Sequence, residues 1–362
     1  MTQDFTIRTY QETDEEQVVN LLRSVFPGWQ KKESALEYWR WKYIDTPLKS
    51  DILVSVSAGK VIGVSPGINF NIKIRDQVFP CNYGDDAAVD EAFRGLGVNS
   101  NLSKMRAKRE SENGYKLNYL ITINPIVIDF SKRRGRYEFP HPTSHLVRVK
   151  NVSLHLKEKN IDRNPVATKL GVTLLKNMNR VRNLFVSRSS ARDSFSIAEA
   201  SSFDERIDLF WDKVKDSYDF ILEMKKEFLN WRYCDPRGGN YLVRQAAKDE
   251  EILGYIVLEI KKDNEYSEGY IADILTLPDR DYVAEALIRD ACGFFDRLQI
   301  NMIHCRIVKD NQYQRILSKN GFIDDPLATR IFVFLNLFED KGEYEIIKAS
   351  SPSRIHFSGD FF

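Results

Sequence analysis

Val89-Asp90-Glu91-Ala92-Phe93-Arg94-Gly95-Leu96-Gly97-Val98-Asn99 is the stretch that decides the fold. Before it, the largely apolar run Val78 to Ala88 predicts a strand. After it, Val98, Leu102, Met105 and Arg109 recur at helical spacing, predicting a helix from Val98 to Glu112. A strand that turns through two glycines into a helix leaves main-chain N–H groups pointing outward at the positive end of the helix dipole. That is a site for a diphosphate.

Further along, Leu117 to Ile123 reads as a buried strand, and Asn124-Pro125 opens a helical stretch that closes at Gly135-Arg136-Tyr137. Proline suits the first helical position because its missing N–H is not needed there. The layout returns as Met302 to Val308, then Asn311, then Gly321-Phe322. Glu37-Tyr38-Trp39-Arg40-Trp41-Lys42-Tyr43 likewise has an echo in Glu227-Phe228-Leu229-Asn230-Trp231-Arg232-Tyr233. Trp41 and Trp231 lie 190 residues apart, Gly63 and Gly254 191, and both the Asp86–Asp273 and Asn124–Asn311 pairs 187. A period that long means that each unit is a whole domain.

The Arg94-Gly95-Leu96-Gly97-Val98-Asn99 loop, with Asn124 and Gly135 downstream, resembles the acyl-coenzyme A loop of the GNAT acyltransferase superfamily. The match departs at Asn99, where the family has Gly or Ala. The duplication resembles the tandem arrangement of mycothiol synthases and Fem-type aminoacyltransferases. The resemblance implies an α/β (α+β) chain of two tandem GNAT-like domains, each a mixed, mostly antiparallel central sheet flanked by helices. The expected boundaries are residues 1–150 for the domain with the acyl-CoA loop and 151–195 for a basic amphipathic connector. Residues 196–340 would be a degenerate GNAT-like domain and 341–362 a C-terminal extension.

A length of 362 residues, 43% hydrophobic and 29% charged, suits two globular domains. No run of eighteen apolar residues and no signal-peptide pattern is present, so a cytoplasmic protein is expected. Cys81, Cys234, Cys292 and Cys305 lack metal or redox spacing, and no metal is expected. Residues 1–192 hold 31 Lys and Arg against 20 Asp and Glu, while residues 193–362 hold 22 against 32. A basic first half suits a polyanionic coenzyme, or else the two halves simply attract one another. The segment 163–192 has seven basic residues and no acid, but no interleaved aromatics, which argues against nucleic acid.

In the coarse reading, Thr13-Asp14-Glu15-Glu16 forms a capping box that opens a helix to Val25. Strands follow over Asp51–Ser57 and Val61–Ile74, and Asp76-Gln77 reverses the chain into the central strand. The second half departs at Leu277-Pro278-Asp279-Arg280-Asp281-Tyr282, which has no glycine and two carboxylates to compete with a diphosphate.

No nucleophile constellation is visible, and a CoA thioester needs none, because an amine attacks it directly. The resemblance implies acetyl-CoA as donor, held by Ala87, Ala88, Val89, Arg94, Gly95, Leu96, Gly97, Val98, Asn99 and Asn124. Asp85 or Asp86 would serve as base, or alternatively as a structural cap. The position at which many family members carry a thiolate-protonating tyrosine is Ser131 here; Tyr137 is assigned to packing, and His141 and His145 to surface or structural roles. The expected function is N-acetyl transfer to a small-molecule amine or peptide acceptor. A catalytically inactive binding or scaffold protein and a Fem-like aminoacyltransferase are the alternatives.

Overall fold

In a computed structural model of the protein, residues 4–150, 194–263, 266–325, 328–338 and 341–357 are described. Nearly all of the predicted connector, including the seven basic residues of 163–192, lies outside them. The chain forms two compact units, neither continuous in sequence. One comprises residues 1–140, 227–238 and 330–349; the other comprises 141–226, 239–329 and 350–362.

The first unit opens with β1 (Thr6–Thr9) and α1 (Glu15–Val25). The capping box forms two residues earlier than expected, between Gln11 and Asp14. The reason is ionic: the buried Asp14 carboxylate accepts from Gln11 N at 2.8 Å and from both Arg8 terminal nitrogens at 2.6 and 2.7 Å, tying β1 to the helix start. Pro27 does not simply stop the chain but begins the single turn α2 (Pro27–Gln30). Next comes α3 (Ala35–Trp39), which runs into a wider π-helical turn over Arg40–Ile44. Trp39, Trp41 and Tyr43 are all buried there.

The expected strand Val61–Ile74 breaks at Pro66 into β3 (Lys60–Ser65) and β4 (Gly67–Ile74), because proline has no N–H to give the ladder. The expected Val78–Ala88 strand breaks opposite it into β5 (Gln77–Gly84) and β6 (Ala88–Val89). With β2 (Leu53–Ser57), these give a sheet of order β1-β2-β3-β6. In a second sheet β4 and β5 are followed by β7 (Leu117–Thr122), then the strand Phe332–Leu337, then β8 (Tyr137–Glu138).

Helix α4 (Val98–Glu112) crosses between them. Its first half is apolar: Val98 and Leu102 pack with Leu53 and Ile62 in a core cluster. Its second half buries Arg106 and Glu110 at the same i, i+4 positions. Helix α5 (Pro125–Arg133) follows β7 with Pro125 at its first position as read, and Asn124 caps it, its Oδ1 accepting from Ile126 N at 2.9 Å.

The second unit holds one sheet, built from β9 (Thr143–Val149), β10 (Ser196–Ala200), β12 (Tyr241–Lys248), β13 (Glu251–Asp263), β14 (Tyr266–Thr276), β15 (Met302–Val308) and β16 (Ile323–Asp324). Its order is β10-β12-β13-β14-β15-β9-β16, antiparallel except between β14 and β15. A further short strand, β11 (Phe220–Leu222), bridges to Ile355. Helix α6 (Arg206–Val214) buries Ile207, Phe210, Trp211 and Val214. Helix α7 (Asp281–Arg297) makes the crossover and buries Val283, Leu287, Ala291 and Phe295. Asn311 caps α8 (Gln312–Lys319) as Asn124 caps α5, accepting from Tyr313 N at 2.8 Å.

The repeat is therefore structural. The π-helical turn Arg40–Ile44 recurs as Asn230–Cys234. Both turns lie in the first unit, where the Trp41 and Trp231 indoles stack 5.3 Å apart. Each indole donates to the other residue's carbonyl, at 2.9 and 2.8 Å. Strands are redistributed as well. β9 comes from the N-terminal half of the sequence but lies in the second unit's sheet, and Phe332–Leu337 lies in the first unit's.

Candidate functional site

β5 and β7 pair in parallel over only three residues, Cys81↔Leu117, Asn82↔Asn118 and Tyr83↔Tyr119. Beyond Tyr83 the strands part. Between the pairs Gly67↔Gly84 and Val64↔Ala88, three residues (Asp85–Ala87) oppose two (Ser65 and Pro66). The extra residue is a bulge, with Asp86 at φ +52°. β7 continues straight, held to Thr122 by the strand Phe332–Leu337.

A wedge opens between the two strands. It forms a cleft of about 460 Å³ lined by Gly84–Ala87 on one side and Tyr119–Thr122 on the other. Asn99, Ser103, Arg106 and Ala107 of α4 and Ile126, Val127 and Phe130 of α5 complete it. Among the described residues β6 is the edge strand of its sheet, and no strand pairs with Leu120–Thr122 on the β5 side. Two strand edges thus face the wedge with N–H and C=O groups free to bond an extended amide-containing guest.

At the start of α4, Gly95 and Gly97 adopt φ of +79° and +83°, the left-handed region where a side chain is strained. The first helical bond runs from Asn101 N to Gly97 O. The N–H groups of Val98, Asn99 and Ser100 therefore have no helical acceptor. Arg134 reaches this turn, donating to Ser100 Oγ at 2.7 Å, and Arg136 lines the cleft. The sequence reading missed both arginines; the signal was the basic run Lys132-Arg133-Arg134 with Arg136 at the end of α5.

Of the residues read from sequence, Asp85, Asp86, Ala87, Asn99 and Asn124 line the cleft. Ala88 and Val98 are buried, and Val89 packs beside Val98 against the core cluster. Arg94, Gly95 and Leu96 form the exposed loop ahead of the helix, with Gly97 as its N-cap.

The inner end of the cleft carries an ion-paired network. Lys42 Nζ donates to Asp85 Oδ2 at 2.5 Å and to Asp86 Oδ2 at 2.7 Å, and Tyr43 OH donates to Asp86 Oδ2 at 2.8 Å. Burial works against the Lys42 charge, but Asp85, Tyr43 and Asp86 outweigh it and hold the ammonium well above its usual range. Burial also works against ionised Asp86, yet Lys42 and Tyr43 hold its carboxyl below the usual carboxylate range. Asp86 is therefore a fixed anion. Asp85 is more open, its side chain 34% exposed against 13% for Asp86. Lys42 was legible only as part of an aromatic helix.

The floor is polar. Arg106, 6% exposed, donates through Nε to Ser65 Oγ at 3.1 Å and through Nη2 to Ser65 O. Glu110 accepts from Asn118 Nδ2 at 2.5 Å. Burial pushes the Glu110 carboxyl up, against Arg106 and Asn118, which pull it down.

Ser131 is fully buried, its Oγ 3.4 Å from Arg136 Nη1, so it cannot reach a leaving group in the cleft. Tyr137 packs on Tyr344 with centroids 4.8 Å apart. In the second unit His145 stacks on His304, with Nε2 and Nδ1 3.0 Å apart. Burial, then Arg306 and His304, push the His145 imidazole down to about 4. His141 is buried as well. No group of three or more His, Cys, Asp or Glu among the described residues could hold a metal.

The place equivalent to the cleft in the second unit is filled. Asp273, the repeat counterpart of Asp86, is 3% exposed, accepts from Tyr255 OH at 3.0 Å and lies 3.1 Å from His356 Nε2. Ile355 and Phe357 are buried on either side of His356, leaving about 10 Å³, room for one water. The loop ahead of α7 has one left-handed residue, Asp279, and its Asp281 bonds Arg315 at 2.8 Å.

Residues 6–139 match the family model of the acetyltransferase (GNAT) domain. No curated protein matches the chain in sequence. Among solved structures, a probable N-acyltransferase from Enterococcus faecalis is similar with a TM-score of 0.65 at 10% identity, over 93% of this chain and 73% of that one. A GCN5-related N-acetyltransferase from Anabaena variabilis gives 0.63 at 12% identity, over 93% and 73%. Saccharomyces cerevisiae N-myristoyltransferase with bound myristoyl-CoA gives 0.56 at 12% identity, over 91% and 82%. At these identities the likeness is one of fold. Among the described residues, no helix is long and apolar enough to cross a membrane.

Proposed function

We propose, from the acetyltransferase (GNAT) domain that residues 6–139 carry, that the protein is an acyl-CoA-dependent N-acyltransferase with acetyl-CoA as its simplest donor. One observation carries the reading. The cleft runs from Asn99, in the first turn of α4 beyond the left-handed glycines, inward between two unpaired strand edges to a pair of carboxylates. The diphosphate takes the N–H groups of Val98–Ser100, with Arg94 and Arg134 as counter-charges. The pantetheine amides bond the edges at Ala87 and at Leu120–Thr122, which presents the thioester to the end held by Asp85 and Asp86.

The acceptor is an amine, drawn in as its ammonium by the two carboxylates, only partly neutralised by Lys42. Asp85, the more open carboxylate, takes the proton, directly or through water; Asp86, locked by Lys42 and Tyr43, fixes the loop. The amine nitrogen bonds the acyl carbon, the carbonyl oxygen accepts from a bulge N–H, and the C–S bond breaks. With Ser131 buried, the departing thiolate is protonated through solvent, which also takes up the second proton of the former ammonium as the amide forms. The second unit, its slot filled by Ile355–Phe357, does not bind a second coenzyme.

Titration calorimetry with acetyl-CoA and free CoA tests the donor, with one site per chain expected. Mass spectrometry of an amine library with labelled acetyl-CoA tests turnover. Binding without turnover on any amine favours the scaffold reading, which the burial of Ser131 and the neutralising Lys42 support; absence of binding ends both.

A further inference from the structure

One charge in the cleft lacks a counter-charge. The lining carries four charged side chains among the described residues, Asp85, Asp86, Arg106 and Arg136. Both aspartates pair with Lys42, and Arg106 pairs with Glu110 at 3.6 Å, the facing atoms of that pair being closed to solvent. Arg136 has no ion pair among the described residues. Its one side-chain hydrogen bond there, Nη1 to the neutral Ser131 Oγ, is long at 3.4 Å. Nε and Nη2 make none, and neither is sealed from solvent. Burial, then Arg134, work against this guanidinium, while Glu110 acts the other way. An arginine does not shed its proton, so the cation stays.

Its place in the fold identifies what would meet it. Leu335 pairs with Tyr137, so Arg136 comes next to Asn336, and Asn336 pairs with Asn118, whose amide bonds Glu110. Glu110 is ten residues along α4 from Ser100, roughly 15 Å at 1.5 Å per residue. This row therefore lies far from the diphosphate end, where Arg134 reaches Ser100. The aspartates are distant too. Asp85 is three residues past Asn82, the partner of Asn118 across the wedge, roughly 10 Å at 3.3 Å per residue. The Asn336 amide and Ser103 Oγ also line the cleft, and neither makes a hydrogen bond among the described residues. A guest entering this lobe meets one cation and two neutral donors. An alkyl tail would displace water and leave all three unbonded, and an ammonium would be repelled. A carboxylate is bonded by all of them.

We propose, resting on the acyl-CoA reading above, that the natural donor carries a short dicarboxylic acyl group, of succinyl or glutaryl size, whose distal carboxylate accepts from Arg136 with Asn336 and Ser103 beside it. Leu120, where the edge of β7 becomes unpaired, is two residues from Asn118, roughly 7 Å. A chain of that size and one hydrogen bond span the distance.

Calorimetry of the full chain tests this, comparing succinyl-CoA with butyryl-CoA and glutaryl-CoA with valeryl-CoA, each pair equal in carbon number, with free CoA as reference. At least one diacid ester is expected to bind tenfold or more tightly than its alkyl partner. A smaller difference in both pairs overturns the inference while leaving the acyl-CoA reading in place. No binding of any ester or of free CoA overturns both. R136M with an intact melting transition is expected to keep free CoA affinity within threefold and to bind paired esters equally. A preference that survives in it overturns the inference. So does a loss of free CoA affinity in step with the diacid esters, which assigns Arg136 to the coenzyme's own phosphates. Where R136M does not fold, the wild-type pairs decide alone.

Discussion

Gly97 separates what the helix start does for stability from what it does for a ligand. It is the N-cap of α4 at φ +83° and ψ 2°, and a Cβ built there would meet only Asn101 Nδ2, at 3.7 Å. Space is open, so conformation sets the cost. Gly97→Ala pays about 1–2 kcal/mol for a left-handed Cβ, a few degrees in the melting temperature. Gly97→Asp bears less of that strain, since Asp tolerates this region, and recovers about 0.3–1 kcal/mol from the helix dipole.

For a bound diphosphate the ranking inverts. A carboxylate roughly 5 Å from the phosphate charge, at an effective dielectric near 20, costs about 3 kcal/mol per unit charge. That is about two orders of magnitude in affinity. Differential scanning fluorimetry should show Ala as the less stable variant, and calorimetry with CoA should show Asp as the one that fails to bind. Raising salt to about 1 M, where screening acts within about 3 Å, should narrow the gap between Asp and wild type. If Gly97→Asp binds CoA within threefold of wild type, or its defect ignores salt, the diphosphate does not sit on this helix.

Three further outcomes follow from the geometry. Lys42→Met strands two carboxylates around a buried site and should cost about 3–5 kcal/mol by urea unfolding, whereas Lys42→Arg should cost less. Trp41→Phe and Trp231→Phe each remove a buried indole N–H bond and should cost about 1–2 kcal/mol, and because the backbone carbonyl acceptors survive either substitution the double variant should cost close to their sum, any departure measuring the coupling of the stacked rings. His145, pushed down to about 4 from 6.5, stays neutral in the folded state while the unfolded chain takes up a proton. Stability should therefore fall as pH drops from 6.5 towards 4, by up to about 3 kcal/mol before allowance for solvent screening, and His145→Gln should flatten that limb of the denaturation midpoint against pH.

The local elements were legible because their signals are local. Helix α4 begins and ends where the periodicity of Val98 and Leu102 placed it, and Asn124 and Asn311 cap the helices they precede. The glycines at 95 and 97 are left-handed, as a sharp strand-to-helix turn requires. What the residues did not disclose depends on partners distant in sequence. The break in the central strand follows from Pro66, across the hairpin from Asp85–Ala87. Lys42 reads as one charge in an aromatic helix until the fold brings Asp85 and Asp86 to it. The burial of Arg106 and Glu110 contradicts their residue types, and composition alone would have placed both in water. Strand redistribution is the extreme case, since a one-dimensional repeat cannot say which copy of a sheet a strand will join.

That redistribution bears on any attempt to divide the polypeptide. A fragment ending near residue 150 would lack Phe332–Leu337, which pairs with β7 along its whole length, and the turn that carries Trp231. Such a piece would display a bare hydrogen-bonding ribbon at Leu117–Thr122 and a naked indole, the makings of an aggregate rather than a miniature enzyme. Expressed together with the remainder, however, the two pieces should reassemble by mutual complementation, each supplying the ribbon that the other is missing.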